Sequence, residues 1–471
     1  MFRKEHDMLG TRDVPAEALY GIHALRAAEN FPLSGRPLHP ELITSLALVK
    51  QACARVNAAL GWLEPRIAAA IEAACEEVVL GEHADAFLTD ALQGGAGTSA
   101  NMNMNEVLAN LAIRHLGGRC GEYSLVHPLA HVNLHQSTND VFPTAVRVAA
   151  IRLGRTLEAN IAALQQALQD LEPRFGHIVR LGRTELNDAV PLAWSSTLAA
   201  WAEAMARDRW RVFKCEERLR VVNLGGGAIG TGLGAPRRFI FGVVEALRDL
   251  TGLGLARAEH LVDATQNLDA LVEAGGILKA HAVNLLKISN DLRLLASGPC
   301  GGLGEIHLPE RQAGSSAMPG KVNPVICEAV AQAAMAAMGQ EAVLAQAAGA
   351  GQLELNAFTP LAADALLTMY TLLAKADAIF TAHCVAGLTV DETACQTHVD
   401  RAWSVLAAFV PLLGYDRCVE AAGIMRRSGR GLREVLVDGG FADAATVARV
   451  LSPAALTALG VPEYTGGIHG S

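Results

Sequence analysis

The chain has 471 residues, 51% of them hydrophobic and only 18% charged, with a net charge of −9 and a mean hydropathy of +0.25. A chain of this length and apolarity is expected to bury a large core in two or three domains, which excludes a disordered chain, and its dispersed charge without a basic stripe argues against a nucleic-acid partner. No run of about 18 apolar residues occurs, so no membrane span or membrane partner is expected, and the nine cysteines are scattered without a C-x-x-C pair, the pattern of reduced thiols in a cytoplasm.

The opening MFRKEHDMLGTRD is charged and lacks the apolar region of a secretory signal. Leu42–Leu80 reads as helix, with Leu46, Val49, Cys53, Val56 and Leu60 at three- and four-residue spacing. A glycine-rich break at Gln93–Gly97 precedes a helix from near Asn101. Proline and histidine then punctuate Val126–Asn139. His131 and His135 stand four apart, but without the glutamate of H-E-x-x-H they read as structural, and no metal site is expected. After Pro143 long helical stretches follow at Val146–Leu171, Leu192–Leu224, Leu261–Leu295, Pro324–Ala348 and Leu361–Val385, with a shorter one at Phe241–Leu250. They are alanine-rich and apolar on more than one face, as helices buried in a bundle are. GGGAIG at Gly225–Gly230 matches G-x-G-x-x-G in form. The text before it is an amphipathic helix and not a strand, so it reads as a turn between helices, and no cofactor is expected. Strand text of period two is scarce, and from about Asp391 the helices shorten. The expected fold is all-α, with a mostly helical domain over 1–142, a central long-helix bundle over 143–390 and a small helical domain over 391–471.

Four polar islands interrupt this helical text: QGGAGTSANMN (Gln93–Asn103), QSTNDVFPT (Gln136–Thr144), GRTELNDAVP (Gly182–Pro191) and GSSAMPGKVNP (Gly314–Pro324). In the last, Asn323 suits an N-cap and Pro324 a first helical position, so Gly314–Val322 is a loop leading into the positive end of a helix dipole, a natural place for a carboxylate. Taken singly, the other three are capping turns, with Thr98, Ser137 and Thr184 as caps. Together the four offer hydroxyls, amides and one lysine, a donor set suited to a small dianion.

GSSAMPGKVNP resembles the signature of the aspartase/fumarase superfamily. The likeness runs through nearly the whole chain in the family's order, including QGGAGTSANMNMNEVLAN, HVNLHQSTNDVFPT, GRTELNDAVP, NLGGGAIGTGL, ISNDLRLLASGP and AGQLELN. Within the family, QGGAGTS and QSTND resemble the aspartate ammonia-lyases. The resemblance implies a homotetramer of 222 symmetry with each active site assembled from three subunits, and a small dicarboxylate or amino-acid substrate. The reaction it implies is a C–N lyase elimination of ammonia from L-aspartate to give fumarate, by removal of the β-proton through an aci-carboxylate intermediate. Ser315 matches the family's base, a role that needs its alkoxide stabilised by loop amides and cationic charge. Lys321, Asn323 and Thr184 match the clamp on one carboxylate. Thr98, Ser137, Thr138 and the Ser316 amide match the donors to the carboxylate that becomes the aci-acid, Asn139 faces the amino group, and Ser99 and Met318 join the substrate-binding set.

Three departures accompany these matches. Glu185 stands where the family has histidine or glutamine, near the leaving group, a position that fumarases serve with a histidine paired to the counterpart of Glu328. A carboxylate there favours an ammonium leaving group over water, although a solvated glutamate reads the same in sequence. Trp194–Thr197 replaces a Gly-Gln-Glu-Phe text, and Cys300 replaces the arginine of S-G-P-R. Glu185 and Trp194 motivate an alternative, release of a substituted or quaternary amine. A class II fumarase and a non-catalytic structural relative stand behind it.

Overall fold

The computed structural model describes residues 1–460. They are mostly helical, with four small two-stranded sheets. The principal elements are β1 (Phe2–Asp7), β2 (Gly10–Pro15), α1 (Ile22–Asn30), α2 (Pro40–Ala59), α3 (Pro65–Val79), α4 (Thr98–His115), α5 (Thr138–Phe175), β3 (Val179–Thr184), β4 (Asn187–Ala193), α6 (Trp194–Leu219), α7 (Arg237–Thr251), α8 (Leu261–Gln266), α9 (Asp269–Leu295), α10 (Val325–Gly349), α11 (Thr359–His383) and α12 (Glu392–Arg401).

Several boundaries differ from the sequence expectation for identifiable reasons. Leu42–Leu80 is two helices, because Gly61 turns to φ 78° and Pro65 opens the second at a position where its missing N–H costs nothing. Leu261–Leu295 divides at Asn267, which is extended at ψ 135°. The helix after the signature loop begins at Val325, one residue later than expected, with the Glu328 N–H bonded to the Pro324 carbonyl. The island GRTELNDAVP is not a loop but the bend of the β3–β4 hairpin, and Thr184 caps no helix; it pairs with Asn187 across the strands.

Contacts divide the chain into two compact units. One comprises Met1–Ala159, Asp208–Val283 and Ala333–Lys375. Its core includes α4, on which every residue from Ala100 to Ile113 is buried, five of them polar. Those polar residues hold loops. Asn103 accepts from Leu88 N and donates to Ala86 O; Asn110 accepts from Gly121 N and donates to Leu19 O. Glu106 accepts from the N–H groups of Gly21, His23 and Ala24 at 2.8–3.1 Å, at the start of α1. Each such bond contributes roughly 0.5–1.5 kcal/mol net, and leaving one unmade costs more. The run NMNMNEVLAN is therefore a core helix that docks its surroundings.

The other unit comprises Asn160–Arg207, Asn284–Gln332 and the chain from Ala376 on. It has its own apolar core around Leu181, Val405, Leu406, Phe409, Leu432 and Leu436. There the buried Glu305 ties the root of the β3–β4 hairpin to α12, with Arg180 Nε at 3.1 Å, Arg183 Nη2 at 2.7 Å and His398 Nδ1 at 2.9 Å. Burial pushes the Glu305 carboxyl up, but the Arg183 hydrogen bond and the charge of both arginines outweigh it and hold the group below the usual carboxylate range. Trp194 is fully buried, with the Arg180 guanidinium over its ring and its Nε1 directed at Cys395 Sγ. It is packing.

Candidate active site

The residues singled out in the sequence fall into two sets, one in each unit. In the first, a turn with three successive positive φ values (Gly95 85°, Ala96 56°, Gly97 97°) leads into α4. A Cβ on Gly97 would lie 2.6 Å from the Phe142 ring, so glycine is required by both conformation and space. The amide of Gln93 spans the turn, donating to Asp90 O and accepting from Ala100 N. Thr98 is exposed at the first position of α4, and Ser99 beside it is half-buried. The Thr98 hydroxyl donates to Gly95 O at 2.8 Å, so it must rotate before it can donate to a ligand.

Helix α5 starts on a reciprocal cap. Ser137 Oγ accepts from Asn139 N at 3.2 Å, while Asp140 Oδ1 accepts from Ser137 N at 3.0 Å. The other oxygen of Asp140 accepts from Gly225 N and Gly227 N, so the GGGAIG turn serves to close over the start of α5. Burial raises the Asp140 carboxyl to about 6, against those three backbone donors. Asn139 donates to Ala228 O at 2.7 Å, which leaves its carbonyl oxygen to accept, the polarity an ammonium group needs. Thr138 Oγ1 accepts from Asn101 Nδ2 at 3.0 Å, which brings the beginnings of α4 and α5 together. Ser137 and Thr138 thus both accept through their oxygens and keep their own protons to donate.

Behind this turn Asn133 Oδ1 accepts from Lys50, Asn101 and Asn105. The oxygens Asn101 Oδ1 and Asn105 Oδ1 are buried with no hydrogen-bond partner among the described residues, at a cost of about 1–3 kcal/mol each.

In the second unit Thr184 and Glu185 are exposed at the hairpin bend. Glu185 and Leu186 have φ values of 53° and 62°, the left-handed pair of a two-residue hairpin turn. No ion pair reaches the Glu185 carboxylate among the described residues. Glu328, in the first turn of α10, has Arg293 Nη2 at 3.7 Å as its cation. Cys300 is exposed in the loop after α9.

The signature loop is pinched at its base, where Gly314 N donates to Lys321 O at 2.7 Å and Asn323 Nδ2 donates to Gly314 O at 3.0 Å. Asn323 thus spends one amide proton on the loop itself. A Cβ on Gly314 would meet Lys321 O at 2.7 Å, which no side chain tolerates. Within the pinch, Ser315 Oγ accepts from Ala317 N at 3.1 Å and Met318 N at 3.0 Å. Ser315, Met318 and Lys321 line one open cavity of about 420 Å³ together with Arg311, while Ser316 is exposed. Sequence reading missed Arg311, which is anchored by the carbonyls of Ala382 and His383, and also Lys50, Gln93 and Asp140. The Lys50 signal was weak, because a charged residue amid apolar helix text looks like a solvated face, whereas Gln93 and Asp140 lie inside two of the polar islands and read there as loop residues.

The grouping of metal-donor type among the described residues, Glu77, Glu82 and His83, has Glu77 engaged by His83 and His115. His131 Nδ1 accepts from His127 N, and His135 donates to Asn57 Oδ1 at 2.7 Å.

A family model described as lyase matches residues 10–339. The aspartate ammonia-lyase of Pseudomonas fluorescens is 44% identical over 455 residues, covering 96% of this chain and 95% of that protein. That of Bacillus subtilis is 39% identical, with 98% and 97% covered. Among solved structures, a fumarate lyase:delta crystallin from Brucella melitensis superposes with a TM-score of 0.92 at 42% identity, covering 96% of this chain and 99% of that one. A class II fumarase from Schistosoma mansoni superposes with a TM-score of 0.90 at 32% identity, covering 96% and 98%.

Proposed function

The chain belongs to the aspartase/fumarase superfamily of lyases, and from that premise we propose that it eliminates ammonia from L-aspartate to give fumarate. It is a carbon–nitrogen lyase acting on a small dicarboxylate amino acid. In the proposed mechanism the Ser315 alkoxide takes the β-proton, and the electron pair passes into the adjacent carboxylate as an aci-acid. Return of that pair forms the double bond and expels the amine. What supports Ser315 as the base is its oxygen's bonding: two loop amides donate to it on a cavity shared with Lys321 and Arg311. Donors of this kind lower the cost of negative charge on a hydroxyl oxygen.

Ser137 and Thr138, with protons free to donate, serve the carboxylate that gains charge; each preorganised donor is worth about 2.7–4 kcal/mol in comparable oxyanion sites. Asn139 Oδ1 serves the ammonium, and Lys321 with Thr184 the second carboxylate. The assembly we propose is a homotetramer with each site drawn from different subunits, in a cytoplasm that keeps the cysteines reduced. Its support is the exposure of large apolar side chains on long helices, Trp210 at 64% and Phe213 at 55%. A second reading, release of a larger amine, now rests on Glu185, since Trp194 is buried. Incubating fumarate with ammonia or with larger amines separates the two. Consumption of fumarate with ammonia supports aspartate as the substrate, whereas consumption only with a bulkier amine replaces it by the second reading.

A further inference from the structure

The first unit buries a charge that the chemistry above does not use. Lys50, in the middle of α2, is fully enclosed, and its ammonium donates to Asn133 Oδ1 and Gln136 Oε1, each at 2.9 Å. The titratable groups facing it are Cys53 on its own helix, Cys75 on α3 and Asp140 on α5. Burial pulls Lys50 down to about 8, against the opposing pull of these three groups, while burial pushes both thiols up and keeps them neutral.

An ammonium group has donors and no acceptor, so it decides which way the amides around it face. Asn133 must turn its oxygen toward Lys50. That oxygen then draws the nitrogens of Asn101 and Asn105, both at 3.2 Å. With its nitrogen committed to that side, Asn101 also donates to Thr138 Oγ1 at 3.0 Å. Thr138 is thereby an acceptor toward the interior, and its own proton has to point elsewhere. The orphaned oxygens of Asn101 and Asn105 record the same polarity. Gln136 is held by the same ammonium, and its nitrogen bonds Val132 O and Leu134 O, so the entry to the Ser137–Asn139 turn is set as well.

We infer that Lys50 is a positioning residue which, through Asn133 and Asn101, orients the Thr138 hydroxyl to donate to a substrate carboxylate. This rests on the dicarboxylate reading of the site proposed above. The buried lysine never touches substrate. Its role is to convert a hydroxyl that can face either way into a committed donor.

The test is calorimetric binding of succinate, a dicarboxylate with no leaving group, to the intact protein. Thr138→Val is expected to weaken binding about tenfold or more, the loss of one hydrogen bond to a charged group. Lys50→Met removes the root of the relay. Asn101→Asp, an acceptor in place of a donor, turns the Thr138 proton inward. Each is expected to weaken binding by a similar factor, and neither to weaken it further in the Thr138→Val background.

Additive losses overturn the inference. So does normal binding by Lys50→Met or Asn101→Asp when Thr138→Val binds weakly. Unchanged binding by Thr138→Val overturns the assignment of Thr138 to a carboxylate, and the inference with it. Should Lys50→Met fail to fold, Asn133→Leu, which cuts the link between Lys50 and Asn101, takes its place beside Asn101→Asp.

Discussion

Ser315 carries the proposed chemistry, and its surroundings are polarised in the direction a base requires. Two backbone N–H groups face its oxygen, and two cations, Lys321 and Arg311, line its cavity against one carboxylate, Glu310. Ser315→Ala is expected to lower turnover by about 10²–10⁴-fold, the usual contribution of a general base, with the melting temperature unchanged because the side chain is only partly buried. Glu185 is the residue whose role the fold leaves open to chemistry, standing at a hairpin bend with its carboxylate unpaired among the described residues. Glu185→Gln is expected to lower activity on L-aspartate relative to substrates with an uncharged leaving group, read as the ratio of kcat/KM values; an unchanged ratio makes it a solvated turn residue. At this scale Ser315, Lys321, Ser137 and Thr138 were legible in the sequence because they sit in loops whose composition suits neither helix nor strand. Lys50 and Asp140 were not, because their significance lies in burial and in bonding to groups over 80 residues away.

Two short elements position these side chains, and both depend on backbone that only a few residues adopt. The α4 turn passes through Gly97 at φ 97° with the Phe142 ring against it. Gly97→Ala is expected to cost about 1–3 kcal/mol in backbone strain, with a comparable penalty for the overlap, and to weaken dicarboxylate binding through Thr98. Denaturant unfolding together with succinate binding checks this. A stable variant with normal binding would mean that the turn does not set the site. The β3–β4 hairpin was the element misread from sequence. Its strands are short and rich in arginine, asparagine and aspartate, so the alternation that marks a strand is faint, and what stabilises it is the buried Glu305 between Arg180, Arg183 and His398. The long helices, by contrast, were legible because an apolar periodicity sustained over many turns has no competing reading.

The largest scale is the assembly. Helices α6 and α7 expose Trp210, Phe213 and Phe241, each more than half exposed, along a chain already low in charge. Surfaces of this kind are expected to meet other copies of the chain. Trp210→Glu is expected to yield smaller species in sedimentation and to lose activity in parallel, while an active monomer would refute sites shared between subunits. Helix α11 is apolar enough in length and composition to cross a bilayer, yet more than half of its apolar stretch is buried, the character of a bundle core. The measurement that bears most directly on the whole account is fumarate formation, followed by its absorbance, from L-aspartate supplied to the purified protein and to its Ser315→Ala variant. Turnover is expected from the first and a loss of at least about a hundredfold in the second. No turnover of aspartate by the wild type, or near-normal turnover by the variant, would contradict it.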